Sequence, residues 1–274
     1  MAVVTSHTVF EPYFTAWGLT ADGEAFTTQF GNHLLPVLHQ GAAAMLKIAV
    51  HEEERRGGEL MAWWEGVGAA RVLAREGDGL LMERLAGPRS LSEMARSGQD
   101  DEATRILCRT ALALHRPRIQ PAPQSLIPLG EWFRALEPAA SQHGSTFQKS
   151  ASAAAFLLNT ARDPVVLHGD FHHDNVLDGG DRGWLVIDPK GLIGEAGFEY
   201  ANLFRNPGGE IALAPGQLRR RAAIVVAETG QEMRRLLQWV LAYAGLGAAW
   251  SLSSGDDPQP GLQIAEAAAR ELAL

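Results

Sequence analysis

Asp170, Asn175 and Asp188 fall within one stretch, Val165 to Pro189, which reads VVLHGDFHHDNVLDGGDRGWLVIDP. Three apolar residues, Val165 to Leu167, run into His168-Gly169-Asp170, and Asn175 stands five positions after that aspartate. A short apolar segment, Asn175 to Leu177, enters the turn Asp178-Gly179-Gly180-Asp181-Arg182-Gly183. A second one, Trp184 to Ile187, ends on Asp188. The pattern is strand, loop, strand, turn, strand, with an Asp, an Asn and another Asp at the loop and strand ends. Side chains of these types can move a phosphoryl group. One carboxylate can orient and deprotonate an attacking hydroxyl, while a carboxamide and a second carboxylate can hold magnesium on nucleotide phosphates.

That order is the layout of a kinase catalytic loop followed by its metal-binding aspartate. HGDFHHDNVL followed by WLVIDPKGLIGEAGFEYANLF resembles the aminoglycoside and small-molecule phosphotransferases of the protein-kinase-like superfamily. The fit is closest to the branch holding streptomycin 6-phosphotransferases and hydroxyurea phosphotransferases. Those enzymes use HGD where protein kinases use HRD, and ID followed by a small residue or Pro where protein kinases use DFG. A lone HGD would be weak; here His-Gly-Asp, the Asn, the hairpin turn, the strand and the terminal Asp stand in register. The resemblance spans nearly the whole chain, with its strong motifs between residues 165 and 205.

The resemblance implies an α+β, two-lobed protein-kinase-like fold. Residues 1–85 would form a small antiparallel-sheet N-lobe with one helix, covering the nucleotide, and residues 86–274 a larger, mainly helical C-lobe. It also implies ATP and Mg2+ as cofactors. Asp170 would be the catalytic positioner or base, and Asn175 and Asp188 the metal ligands. The acceptor is expected to be a small-molecule hydroxyl, first that of an aminoglycoside such as streptomycin, giving antibiotic resistance by O-phosphorylation at position 6. The rivals are a kinase for another small metabolite or hydroxyurea, and a nucleotide-binding pseudokinase. A pseudokinase has no need of Lys47, Asp170, Asn175 and Asp188 together.

The elements around this stretch must bring the remaining groups to it. Alternation over residues 24 to 50 reads as strands GEAFTTQ, LPVLHQ and AAMLKIAV. Lys47 sits in the third run between Leu46 and Ile48, and an ammonium embedded in an apolar strand needs a partner. By resemblance it contacts the nucleotide phosphates and a glutamate on the next helix. That helix is expected to start near Glu52, with Glu54 as the partner and Glu53 as the alternative; Gly57-Gly58 inside it is a departure. The phosphate-covering loop would be Gln29-Phe30-Gly31-Asn32-His33, with Asn32 toward the phosphates or merely building the turn. Strands ARVLAR and LLMERLAG follow, and the second resembles the interlobe hinge, where backbone groups from Glu83 to Leu85 would pair with adenine. Ser90 and Glu93 make a capping box.

Farther on, Asp101 to Arg116 reads as a helix ended by Pro117, and the prolines up to Pro128 make a loop bordering the substrate cleft. Helices are expected over 149–161, 216–229, 231–244 and 261–273. Trp239, Tyr243 and Trp250 read as core. By resemblance, Glu199 matches a family acid that braces the catalytic loop; the alternative is a surface helical carboxylate. Asp174, Glu195, Asp256 and Asp257 are candidate carboxylates for a cationic substrate.

Composition narrows the alternatives. The 274 residues are 46% hydrophobic and 20% charged, with 24 basic against 32 acidic side chains. The net charge of −8 argues against a nucleic-acid binder and suits a cationic small molecule. The single cysteine, Cys108, excludes an intrachain disulfide and reads as a buried, inert thiol. No apolar run approaches membrane-spanning length, and MAVVTSHTVFEPYF lacks a secretory pattern. The expectation is a cytoplasmic monomer or weak homodimer. His168, His172 and His173 do not make a zinc pattern, since His51-Glu52 is followed by Arg55 where a histidine would stand. His168 should support the loop by hydrogen bonding, with His172 and His173 lining or flanking the cleft. GVGAAR at Gly66 is a broken dinucleotide fingerprint, and neither a Walker loop nor Gly-x-Ser-x-Gly occurs.

Overall fold

The computed structural model describes residues 7–28 and 31–274. Period-2 alternation builds an antiparallel sheet from β1 (Leu19–Ala21), β2 (Phe26–Thr27), β3 (His33–His39), β4 (Ala42–Ile48), β5 (Val72–Glu76) and β6 (Gly79–Glu83). Its order is β1-β3-β4-β6-β5, with β2 added alongside β3. The β3–β4 hairpin turns on Gln40-Gly41, whose φ values are 51° and 80°. Both are positive, as a two-residue turn matching the strand twist requires. Leu35 and Val37 of β3, Ala44 and Leu46 of β4, and Leu81 of β6 share one buried face. Helix α1 (Glu11–Trp17) packs Tyr13, Phe14 and Trp17 against that cluster. The sequence reading had no helix there. The other face presents Leu34, Met45, Lys47, Leu80 and Met82 to a cleft, because successive side chains of a strand alternate sides.

Helix α2 (Glu52–Trp63) runs unbroken through Gly57-Gly58. A Cβ at position 57 would lie 2.2 Å from the Pro189 carbonyl oxygen. Glycine there lets α2 touch the backbone just after Asp188.

The rest of the chain is mainly helical. Its strands are β7 (Ile127–Pro128), β8 (Pro164–Leu167), β9 (Val176–Asp178), β10 (Trp184–Val186) and β11 (Leu192–Glu195). β9 and β10 form an antiparallel hairpin, while β11 lies between a parallel β7 and an antiparallel β8. The helices are α3 (Leu91–Met94), α4 (Asp100–Leu114), α5 (Leu129–Trp132), α6 (Leu136–Gln142), α7 (Ser145–Asn159), α8 (Gly209–Ala212), α9 (Gln217–Thr229), α10 (Met233–Ser254) and α11 (Gln259–Glu271). The Ser90 hydroxyl accepts from the Glu93 amide at 3.3 Å and caps α3. Residues Ala196–Arg205 form a 3-10 run.

Helix α10 is buried nearly all round, from Leu236 to Ala249, as the central helix of a bundle must be. It extends ten residues past the expected end at 244 because Gly245 and Gly247 serve packing. A Cβ at Gly245 would fall 2.3 Å from Ser150 of α7, and one at Gly247 2.3 Å from the Arg205 guanidinium. Trp239 and Tyr243 belong to this core. Among the described residues, no helix is long and apolar enough to cross a membrane.

Candidate active site

The catalytic-loop stretch folds as its pattern implies, with β8, a loop, the β9–β10 hairpin and then Asp188. Gly169 takes φ 87°, and a Cβ there would lie 2.8 Å from Leu192. The middle position of His-Gly-Asp therefore has no room for a side chain. The loop hangs from Glu199, a carboxylate 1% exposed. It accepts from the His168 amide at 2.7 Å and the Gly169 amide at 3.0 Å, and lies 3.1 Å from His115 Nε2. Burial alone would raise the Glu199 pKa, but these partners hold it below the usual carboxylate range. The bracing role read for Glu199 fits this geometry. His115 was missed, because nothing in its helix marks it as facing a carboxylate 84 positions away.

His168 lies 2.7 Å through Nε2 from the Ile187 carbonyl, and its Nδ1 accepts from the Asp170 amide at 3.2 Å. Accepting at Nδ1 and donating at Nε2 defines a neutral ring. Burial pushes its pKa down accordingly. The loop-supporting role read for His168 fits these bonds. His172 Nε2 flanks Asp170 at 3.7 Å. His173 differs from expectation: it is 1% exposed, with neither ring nitrogen hydrogen-bonded among the described residues, and burial lowers its pKa to about 3.

The Asp170 carboxylate is held from two sides. Asn175 Nδ2 donates to the Asp170 carbonyl at 2.9 Å and to Oδ2 at 3.3 Å, and Asn202 Nδ2 donates to Oδ1 at 2.9 Å. Burial would raise the Asp170 pKa, yet His172, Lys190 and His168 hold it well below the usual range. The side chain is thus an ionised acceptor at neutral pH.

Lys47, on the cleft face of β4, pairs with both Glu54 and Asp188. Glu54 is also 3.0 Å from Lys190, which lies 3.2 Å from Glu53. Glu54 is therefore the partner of Lys47, and Glu53 reaches Lys190 instead. Lys190 went unread in the sequence; it follows Asp188 by two positions and is 7% exposed. Burial opposes its charge, but Asp188, Glu54 and Glu53 outweigh that and raise its pKa. Asp188 is a third exposed at its side chain and takes φ 59°, a left-handed conformation that aspartate tolerates better than most residues. Burial would raise its pKa as well, and Lys47 and Lys190 bring it down.

Lys47, Asn175 and Asp188 are among the polar members of a cleft of about 300 Å³ lined by apolar side chains such as Met45, Met61, Met82 and Leu177. Glu83 and Leu85 line it too. The Glu83 side chain is turned to Arg182 and the Arg71 amide, and its own amide donates to the Arg71 carbonyl. The Leu85 amide has no hydrogen bond among the described residues.

Two expected contacts, those of Asn32 and Glu195, are corrected. Asn32 does not line the cleft: it is 2% exposed, and its carboxamide oxygen accepts from the Val50 amide at 3.3 Å. It builds the turn; Gln29 and Phe30 of the same loop lie outside the described residues. Glu195 is not available to a substrate. It is 6% exposed, Arg235 grips both its oxygens at 2.5 Å, and Trp239 Nε1 adds a bond at 3.2 Å. Asp174 is exposed and accepts from Ser92. Asp256 and Asp257 are exposed in the α10–α11 turn, where the Asp257 carboxylate caps the Gln259 amide at 2.9 Å. The proline-rich loop is tied to the end of α2, through Trp63 to the Pro121 carbonyl and Ser125 to Glu59.

The family model for aminoglycoside/hydroxyurea antibiotic resistance kinases matches residues 16–255. The chain is 50% identical to a streptomycin 3''-kinase of Klebsiella pneumoniae over 244 residues, covering 87% of this chain and 91% of the relative. It is 32% identical to a streptomycin 6-kinase of Streptomyces griseus over 256 residues, covering 87% and 80%. Among solved structures, aminoglycoside phosphotransferase APH(4)-Ia superposes with a TM-score of 0.72 at 14% identity, covering 97% of this chain and 99% of the other. A thermostable mutant of that protein has been solved in a ternary complex with ADP and hygromycin B. With a protein-kinase-like fold and a family match spanning most of its length, the chain belongs to the aminoglycoside/hydroxyurea antibiotic resistance kinases.

Proposed function

We propose that this protein transfers the γ-phosphoryl group of ATP to a hydroxyl of streptomycin, and that the acceptor is the 3''-hydroxyl rather than the 6-hydroxyl. The observation that carries the reading is the convergence of Lys47, Asn175 and Asp188 at one cleft, with Glu54 paired to Lys47 behind it and Asp170 fixed beside Asn175. The choice of position follows the higher identity to the 3''-kinase, 50% against 32% for the 6-kinase. The acidic balance of the chain suits a cationic acceptor.

The purine would lie among Met45, Met61, Met82 and Leu177, within reach of the Leu85 amide. Lys47, steadied by Glu54, would meet the phosphates. Asn175 and Asp188 suit a hard divalent cation such as magnesium. Asn175 has its Nδ2 committed to Asp170, which leaves the carboxamide oxygen, and Asp188 adds a carboxylate. Such an ion, when bound, neutralises charge on the β- and γ-phosphates. Asp170 would accept a hydrogen bond from the attacking hydroxyl. Its low proton affinity suits aiming the nucleophile more than early proton removal, which a loose phosphoryl-transfer transition state does not require.

We read residues 1–85 and 86–274 as the two lobes. The connection between them is supported by Gly87 donating to the Asp178 carbonyl and Arg89 gripping the Asp178 carboxylate. Because ATP is the donor, we assign the activity to the cytoplasm. The test is ADP release with magnesium-ATP across streptomycin, hygromycin B, hydroxyurea and simple metabolic alcohols, followed by phosphorus-coupled NMR of the product. Turnover with streptomycin and phosphate at the 3''-oxygen is the expected result. Phosphate at the 6-oxygen overturns the position, and turnover on hydroxyurea alone overturns the substrate.

A further inference from the structure

We infer that Asn202 is a positioning residue for phosphoryl transfer, fixing the Asp170 carboxylate from the side opposite Asn175. The inference rests on the kinase reading of the site and adds a residue to it.

Asn202 lies in the 3-10 run after β11 and is 5% exposed. Its Nδ2 is 2.9 Å from Asp170 Oδ1, whereas Asn175 reaches the other oxygen at 3.3 Å. An ionised carboxylate only accepts, so Asn202 must present its NH2 group to Asp170 and turn its oxygen away. That oxygen is met by Asn206, whose Nδ2 donates to Asn202 Oδ1 at 3.2 Å and to the Asn202 carbonyl at 3.0 Å. Asn206 is held in turn by Arg221, which donates to its carbonyl at 2.6 Å while paired with buried Asp100. The donor aimed at Asp170 is thus set by a chain of bonds ending in a buried ion pair. A carboxylate with one N–H on each oxygen has a single orientation, and a nucleophile aimed to within a fraction of an ångström is what such catalysis depends on.

Asn202→Leu keeps the side-chain bulk and removes the donor. Asn202→Asp keeps shape and the bond from Asn206 but turns a like charge toward Asp170. With magnesium-ATP and streptomycin, kcat should fall about 10- to 100-fold in Asn202→Leu and further in Asn202→Asp. KM for both substrates should stay within about threefold of the parent, since neither binds through Asn202. On an Asp170→Asn background, Asn202→Leu should change residual single-turnover transfer by less than about twofold, because its effect passes through Asp170. Equal kcat in parent and Asn202→Leu, a loss lying wholly in KM, or full additivity on the Asp170→Asn background would overturn the inference. A crystal structure of Asn202→Leu reads the placement without any substrate. Asp170 spread over more than one rotamer supports the role, and Asp170 unmoved in a single rotamer overturns it. An inactive parent would instead refute the streptomycin reading, leaving the rotamer result to decide the role of Asn202.

Discussion

The two adjacent glycines of α2 should respond in opposite directions to the same added methyl group. Both occupy a helix interior, where alanine is better than glycine by about 1 kcal/mol. At Gly58 the new Cβ would sit 3.6 Å and 3.7 Å from the Leu80 methyls, which is ordinary contact. Gly58→Ala should therefore stabilise by about 1 kcal/mol, a Tm rise of roughly 2–4 °C for a chain of this size. At Gly57 the Cβ would sit 2.2 Å from the Pro189 carbonyl oxygen and 3.4 Å from its carbon. That is about 1 Å inside contact, and neither partner is a flexible side chain. Overpacking of this kind costs about 1–3 kcal/mol, enough to cancel or exceed the helix gain. The helix must also back away from Asp188-Pro189, carrying Glu54 from Lys47 and Lys190, so magnesium-ATP affinity should fall about tenfold. Thermal denaturation and nucleotide calorimetry on both variants read these effects. The same sign of Tm shift for both, or Gly57→Ala binding nucleotide like the parent, would refute the claim that Gly57 exists to let α2 touch Pro189.

Glu195→Gln should destabilise by about 3 kcal/mol by leaving Arg235 buried without its charge partner, while KM for streptomycin stays unchanged; a raised KM at intact stability would mean the carboxylate faces the substrate after all. Burial would raise the Glu195 pKa, but Arg235 and Trp239 hold it below its ordinary value of 4.5. Its contribution is therefore present above that value and lost as pH falls through the lower folded one, so denaturant unfolding of parent and variant should differ most above that ordinary value and converge as the pH is taken below the folded one. Cys108 should resist thiol reagents at pH 8 in the folded chain and react fully in denaturant, since it is wholly buried and burial pushes its pKa up to about 12; rapid labelling of the native protein would place the thiol at the surface.

Much of this was legible in the sequence because the informative signals are local. The run from Val165 to Asp188 carries its own strand, turn and loop residues, so Asp170, Asn175 and Asp188 could be read together. Lys47 was legible for a different reason, since an ammonium in an apolar strand needs a partner. What the sequence withheld are partnerships across long separations. Glu195 and Arg235 are 40 positions apart, and His115 and Glu199 are 84 apart. Nothing local distinguishes a carboxylate locked by a buried guanidinium from one open to a substrate. Asn32 was left between two readings because a turn-building carboxamide and a phosphate-facing one have the same neighbours in sequence. Gly57-Gly58 looked like a helix fault until the Pro189 backbone was found against it. Helix α10 outran its expected end because glycines that break isolated helices also let buried ones approach their neighbours.

The kinase reading is tested most directly by separating the two aspartates at either end of the β9–β10 hairpin. Asp170→Asn should leave magnesium-ATP binding near that of the parent by calorimetry, while single-turnover transfer to streptomycin falls by at least ~100-fold. Asp188→Asn removes a negative ligand for the cation and a partner of Lys47, so it should weaken magnesium-ATP binding as well as transfer. Near-normal transfer by Asp170→Asn, or parental magnesium-ATP affinity in Asp188→Asn, would contradict the assignment of roles whatever the acceptor.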